Sequence, residues 1–353
     1  TEEGHTKLNM QPSTMDPELE FRHDNGKLSG MQAKHVDDIK IGAEPWLADL
    51  IVKELEAVFG KLSIHRSTFT NCGIRNTLMP DGSVVMDQDE YIKALIPIVH
   101  PDLTGAPGDS PATHALSKLF WSLLGALAYS MLTQHWLAVY VVSLQRSTHS
   151  AQMIHIRRLN ALVRIAQKRL VKLTYPSMNC CRHVMAHSDS GFAKEQEKGY
   201  GMKGANYMRQ GLSKTDQSIV WHLLNVDCSG HKNVTRSTFS SETLACVSAV
   251  DSLIPIALTL HELNTGPIAK REARRLREEG GMSYRTTVTV DALSLFAAIA
   301  AGTVRIPSEK SLAMHLFWLR ELLDKGIRTQ MQWTDTRDMN ADGHTKGTID
   351  REM

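Results

Sequence analysis

Acidic residues far apart in the chain stand where their chemistry could meet. Asp189 follows the apolar run Val184, Met185, Ala186 in His187-Ser188-Asp189-Ser190-Gly191. Glu242 opens a helix after "VTRSTFSS", Asp291 ends the strand "TTVTV", and Asp342 sits in "NADGHTK". Each lies at a predicted junction between strand and helix. In an open α/β sheet such junctions converge on a shared cleft. Carboxylates gathered there repel one another unless divalent cations neutralise them. Two hard cations about 4 Å apart need several carboxylate oxygens, which no single local motif supplies. The matching chemistry is in-line hydrolysis of a phosphodiester, in which one ion activates the attacking water and the other stabilises the leaving 3′ oxygen. Any one of these acids alone also reads as an ordinary cap at an element end. Their joint placement is what points to a metal.

A second acidic pair, Asp37 and Asp38, falls at a predicted hairpin tip, "KHVDDIK". Taken alone it is also a polar turn. His187 beside Asp189 reads either as a ligand or as a structural strand histidine. Lys232 and Arg236 flank the approach to Glu242, as phosphate contacts or as a solvated turn. The segment 153–173 carries Arg157, Arg164 and Lys168 along one side of a predicted helix, a second candidate contact to nucleic acid. The cluster "AKREARRLR" reads as a solvated helix face. No histidine or cysteine spacing indicates zinc, and no Gly-rich phosphate loop or nucleophile elbow is present.

These residues need a framework to hold them. A chain of 353 residues is long enough for roughly two to three domains. With 42% hydrophobic and 22% charged residues the composition is globular, and a net charge of +2 does not by itself argue for nucleic acid. Five cysteines without CxxC pairs support neither a disulfide framework nor a zinc site, and point to a reducing, intracellular setting. No run is expected to reach the ~20 apolar residues of a membrane span, and no signal peptide is read. The first residue is Thr1, which suggests an internal start.

The pattern predicts a hairpin over 26–44, with Leu28, Met31 and Val36 on one arm and Ile39 and Ile41 on the other. A helix follows over 45–59, and strands flank "MPDGS". The stretch "GAPGDSPAT" (105–113) reads as a linker. Helices are predicted over 116–132, 136–144 and 153–173, ended by Pro176. Thereafter strands and helices alternate: strands near 183–190, 199–208, 218–226 and 234–239, and a helix over 241–262 kinked at Pro255. A strand is expected over 285–291, helices over 293–301 and 308–325, a strand over 327–334 and a weak terminal helix. Such an order predicts an α/β chain with a mixed sheet and helices packed on it.

The C-terminal half resembles the ribonuclease H domain of a copia-type LTR retrotransposon Pol polyprotein. "HSDSGFA" is similar to that family's "YSDADWA" strand, and "RSTFSSETLA" to its "SSAEAEY" helix start. "VDALSLF" is similar to "sDNqsAi", and "QWTDTRDMNADGHTK" to the "v.T..q.ADilTK" end. Upstream, His35-Val36-Asp37-Asp38 resembles the YxDD box of reverse transcriptases, and "LEAVFGKLSI" and "DGSVVMDQDEYI" resemble segments that follow it. "LLGALAYSMLTQHWLAVYVVSLQR" resembles the connection region, with Gln134-His135-Trp136 where the family has Arg-Pro-Asp. His344 stands where an apolar residue is usual, and "SSETLA" keeps one glutamate where the family usually has two.

The resemblance implies a ribonuclease H-like mixed five-stranded sheet with flanking helices over 179–353. Before it would come the C-terminal part of a reverse transcriptase palm (1–104) and a helical thumb or connection region (105–178). It makes Asp189, Glu242, Asp291 and Asp342 the catalytic, metal-binding acids. They would hold two Mg²⁺ or Mn²⁺ ions and cut the RNA strand of an RNA–DNA hybrid, recognised through its 2′ hydroxyls. Asp37 and Asp38 become remnants of a polymerase site, because the third metal-binding aspartate and the fingers of such enzymes lie upstream of this sequence. Two rivals remain. One is a decayed or domesticated element that binds nucleic acid without cutting it. The other is an integrase or transposase, against which an aspartate as the last acid argues.

Overall fold

The computed structural model describes residues 8–36, 38–179, 183–191, 201–232, 234–301, 303, 307–327 and 330–346. The chain begins with β1 (Gln11–Pro12), β2 (Leu19–Asp24), β3 (Lys27–His35) and β4 (Asp38–Ala43), an antiparallel sheet in that order. The expected hairpin forms as β3–β4, with Gly30 opposite Ala43 and His35 opposite Asp38, but its turn begins one residue earlier: Val36, expected on the first arm, lies in the turn with φ of 50°. Asp38 opens β4 and is exposed, while Asp37 lies outside the described residues. Helix α1 (Pro45–Phe59) starts on a proline already set for helical φ and stops at Gly60. Its Leu47 and Ile51 pack with Leu8 and Met10 into a small core.

Next come β5 (Thr68–Asn71), β6 (Ile74–Leu78) and β7 (Val84–Asp87), then the short helix α2 (Asp89–Lys93). Helices α3 (His114–Tyr129), α4 (Ala138–Gln145) and α5 (Met153–Lys168) form a second core around Phe120, Leu127, Val141, Ile156 and Val163. The predicted linker is seated rather than free. Arg157 donates to the carbonyls of Leu103 and Ala106, and Ala112 N–H donates to Ala151 O at 2.8 Å.

Helix α5 ends earlier than the periodicity predicts. The Gln134 carboxamide accepts from Val171 N–H at 3.0 Å and donates to Val171 O at 2.7 Å, drawing the chain out of the helix. Released there, Leu173–Tyr175 become β8, which adds to β7 and completes a sheet in the order β5-β6-β7-β8. This pairing joins residues on opposite sides of the expected boundary at 104.

The candidate acids are carried by the third sheet. Its strands are β9 (His183–Gly191), β10 (Met202–Leu212), β11 (Ile219–Gly230), β12 (Arg285–Val290) and β13 (Gln330–Trp333), in the order β11-β10-β9-β12-β13. The first three form an antiparallel meander, and β12 and β13 run parallel to β9. Parallel neighbours require crossovers. Helices α6 (Thr238–Thr265) and α7 (Lys270–Glu279) lie between β11 and β12. Helices α8 (Leu293–Ala300) and α9 (Ala313–Asp324) lie between β12 and β13.

Val184, Ala186, Val288 and Val290 from the sheet meet Cys246, Val250, Leu253 and Leu258 of α6 and Leu316 and Leu319 of α9. Burying one aliphatic side chain of this size stabilises the fold by roughly 1.5–3 kcal/mol.

Two expectations are corrected here and one is met. Residues 234–237 form no strand, because β11 runs on to Gly230 and a capping box at Ser237 starts α6 directly. The basic cluster 270–277 is the solvated helix face expected of it, with Arg274 paired to Glu278 and Arg275 to Glu272, so much of its charge is neutralised locally. Two helices, His114–Leu132 and Thr238–Thr265, are long and apolar enough to cross a membrane, although none was expected. Both contribute to the cores just described.

Candidate metal centre

Asp189 sits near the end of β9, the central strand, and its side chain is buried. Opposite it on β10 is Gly204. A Cβ on Gly204 would stand 2.7 Å from His344 Cβ, and one on Gly191 would stand 2.6 Å from Thr345 O. The two missing side chains let the Asp342–Lys346 segment lie directly on the strand ends. From there Thr345 Oγ1 donates to Asp189 Oδ2. Glu242, in the second turn of α6, is only 4% exposed. Asp291 follows β12 immediately, and its carbonyl accepts from Trp333 Nε1 at 2.9 Å.

Asp189, Glu242 and Asp291 each offer one carboxylate oxygen, and these oxygens lie within 4.8 Å of one another. Asp342 stands beside the group but outside it. Its carboxylate accepts from Lys346 Nζ, one helical turn on.

Electrostatics follow from this crowding. Burial, then the charges of Asp189 and Asp291, push Glu242 up to about 9. Burial, followed by Asp291 and Asp342, also raises Asp189, although the Thr345 hydroxyl works the other way. Partial burial opposes the charge on Lys346. The hydrogen bond to Asp342 and the fields of Asp342, Asp189 and Asp291 outweigh it and raise its pKa.

Glu242 Oε2 is buried with no hydrogen-bond partner among the described residues. A buried, orphaned oxygen on a carboxylate crowded by two others requires either a proton or a cation. The donors are all hard oxygens, which suit Mg²⁺ or Mn²⁺ and not a thiolate-seeking metal. The acidic triad therefore fits a hard divalent ion.

The other candidates are dispersed. Lys232 and Arg236 are exposed on the approach to α6, and Lys232 is close enough to Lys203 to lower its pKa, behind the effect of burial. Arg164 and Lys168 are exposed on α5, whereas Arg157 is turned inward onto carbonyls of the 103–106 stretch. His187 is held below its usual pKa by burial, and its Nδ1 lacks a partner among the described residues.

Sequence reasoning missed Thr345 and Lys346 as participants. The signal was present in "DGHTK", where Lys346 stands four residues after Asp342. It also missed His231, whose ring meets the hydroxyls of Ser190 and Ser241 behind the acids.

Fold and site thus define a mixed α/β protein with an acidic triad, two members buried and Asp291 half-buried, able to bind a metal at the strand ends of one sheet. No family model matches the chain, and no curated protein does. A solved structure to which it is weakly similar is the N-terminal RNase H domain of rv2228c from Mycobacterium tuberculosis, determined as a fusion with maltose binding protein. The match has 12% identity and a TM-score of 0.28, and covers 46% of this chain and 91% of that one. A likeness of that size carries no argument about chemistry.

Proposed function

We propose that this chain is a two-metal phosphodiesterase of the ribonuclease H kind, cutting the RNA strand of RNA–DNA hybrids. It would belong to a copia-type Pol polyprotein, with the polymerase-derived part over 1–104, the connection over 105–178 and the nuclease over 179–353. The observation that carries the reading is the triad itself, together with a buried Glu242 carboxylate oxygen that has no hydrogen-bond partner among the described residues.

Asp189, Glu242 and Asp291 would hold one ion, with Asp342 completing a second position once Lys346 releases it. Bound there, the ions would supply an activated water and a stabilised leaving oxygen. The chain's own part is to keep the acids converged and unsolvated. Thr345 fixes the Asp189 carboxylate through its hydroxyl, and the flank of Lys232 and Arg236 is free to meet phosphates. Asp37 and Asp38 take no part in this chemistry and stand as the remnant of a polymerase turn.

The test is cleavage of a labelled RNA–DNA hybrid with Mg²⁺ or Mn²⁺ by wild type and Asp189→Asn together. The ions supply several kcal/mol of transition-state stabilisation, so loss of a ligand lowers the rate by more than about a thousandfold. Hybrid binding stays nearly intact. A wild type that is folded, binds the hybrid and cuts nothing would sink the nuclease reading.

One observation favours a second reading, an element that binds nucleic acid without catalysis. Lys346 already supplies a positive charge to the acids. Such a site would show no divalent-ion binding in calorimetry.

A further inference from the structure

Behind the triad, three separate segments meet at one buried nitrogen. Nε2 of His231 lies 2.9 Å from Ser190 Oγ and 3.0 Å from Ser241 Oγ, and the two hydroxyls also contact each other. Ser190 stands next to Asp189 on β9, and Ser241 next to Glu242 on α6. His231 follows the last residue of β11. All three side chains are buried. The Ser190 hydroxyl also donates to Met202 O at 3.1 Å, and His231 N–H donates to Gly201 O at 3.0 Å. The ring is neutral at physiological pH, since burial, then Lys203 and Arg146, push it down to about 4.

Small apolar side chains would fill such a position without buried polar groups to satisfy. A connected polar network instead fixes a single geometry, because removing one member costs each of the others a hydrogen bond. Geometry is what the metal centre requires here. Carboxylates whose oxygens lie within 4.8 Å repel once they are ionised, which pushes the end of β9 away from the start of α6. His231 ties together the residues adjacent to two of those carboxylates.

We propose that His231 is a positioning residue that sets the spacing of Asp189 and Glu242 through Ser190 and Ser241, and so sets the affinity of the site for a divalent ion. This rests on the metal-binding reading above. Groups that orient metal ligands from behind typically change metal affinity by about 10–100-fold when removed.

The experiment is calorimetric titration of Mn²⁺ into the full chain as wild type, His231→Ala, His231→Gln and His222→Ala, with melting of each recorded in EDTA. His222 is a buried histidine of the same sheet, bonded to Arg209 and to Pro176 O at 2.8 Å, and serves as the control for stability alone. The expected result is Mn²⁺ affinity about tenfold or more weaker in His231→Ala. Affinity partly returns in His231→Gln and stays within about twofold of wild type in His222→Ala, while both alanine variants melt earlier. If His231→Ala does not fold, Ser241→Ala, which keeps the ring, carries the comparison. Unchanged affinity in a folded His231 or Ser241 variant overturns the inference and leaves the nuclease reading standing. A wild type that binds no Mn²⁺ overturns both.

Discussion

Glu242 concentrates the cost of assembling the site without a cation. Its carboxyl is ordinarily near 4.5 and is pushed to about 9 in the fold, so the folded state holds a proton that the unfolded state releases. A raised folded pKa contributes stability that is complete below the unfolded value and lost as pH rises through the folded one. Metal-free protein is therefore expected to melt progressively earlier as pH rises from about 5 to about 9. Glu242→Gln removes the titrating group and flattens that slope. Saturating Mg²⁺ reverses it, because the ion replaces the proton and binds only the folded arrangement. A melting temperature independent of pH over this window, with and without Mg²⁺, would count against the buried triad. The three acids that converge could be singled out in the sequence because each lies near a strand end or a helix start. The partner of Asp189 could not. That the Thr345 hydroxyl reaches Asp189 depends on a chain segment folding back across 156 residues of sequence, which no local pattern encodes. The pairing of Lys346 with Asp342 is local, and its four-residue spacing was there to be read.

At the scale of elements, the site depends on how closely the Asp342–Lys346 turn approaches β9 and β10. Gly204 and Gly191 permit the approach, since a side chain at either would meet that turn at under 3 Å. Gly204→Val is expected to displace the turn, freeing the Asp189 carboxylate from Thr345 and moving Asp342 away. Overpacking of this kind destabilises by about 1–3 kcal/mol. The measurement is paired, with melting to read the packing loss and Mn²⁺ affinity to read the displaced acids. Loss of stability with unchanged affinity would show that the turn does not shape the centre. The meander β9–β11, helix α1 and the hairpin β3–β4 were readable from alternation, helical period and turn residues. The early end of α5 was not, because Gln134, far away in sequence, takes both backbone groups of Val171. Nor was the absence of a strand at 234–237, where the Ser237 cap outweighs a β-branched run.

For the whole molecule, the proposed function raises the question of what would bring a nucleic acid to the acids when the net charge is only +2. The helical layer is not a separate appendage. Arg146, just after α4, donates to Gly201 O at 3.1 Å, and α4 lies against β11 and the Asp342–His344 turn. At the other end of α6, Glu262 accepts from Thr14 N–H at 2.9 Å and from the Ser13 hydroxyl, docking the N-terminal sheet. The exposed charges of α5 are thus held in fixed relation to the acidic triad, and they divide by role. Arg164 and Lys168 point to solvent, while Arg157 is spent on the 103–106 carbonyls. Joint charge reversal at Arg164 and Lys168 is expected to weaken hybrid binding about tenfold at low salt and to flatten its salt dependence, with melting unchanged. Arg157→Glu is expected to lower the melting temperature instead, since it leaves buried-side carbonyls unpaired. Filter-binding titrations across a salt series, set beside melts of the same proteins, separate the two. Hybrid affinity indifferent to Arg164 and Lys168 would place the binding track on the other basic flank, at Lys232 and Arg236, nearer in sequence to Glu242.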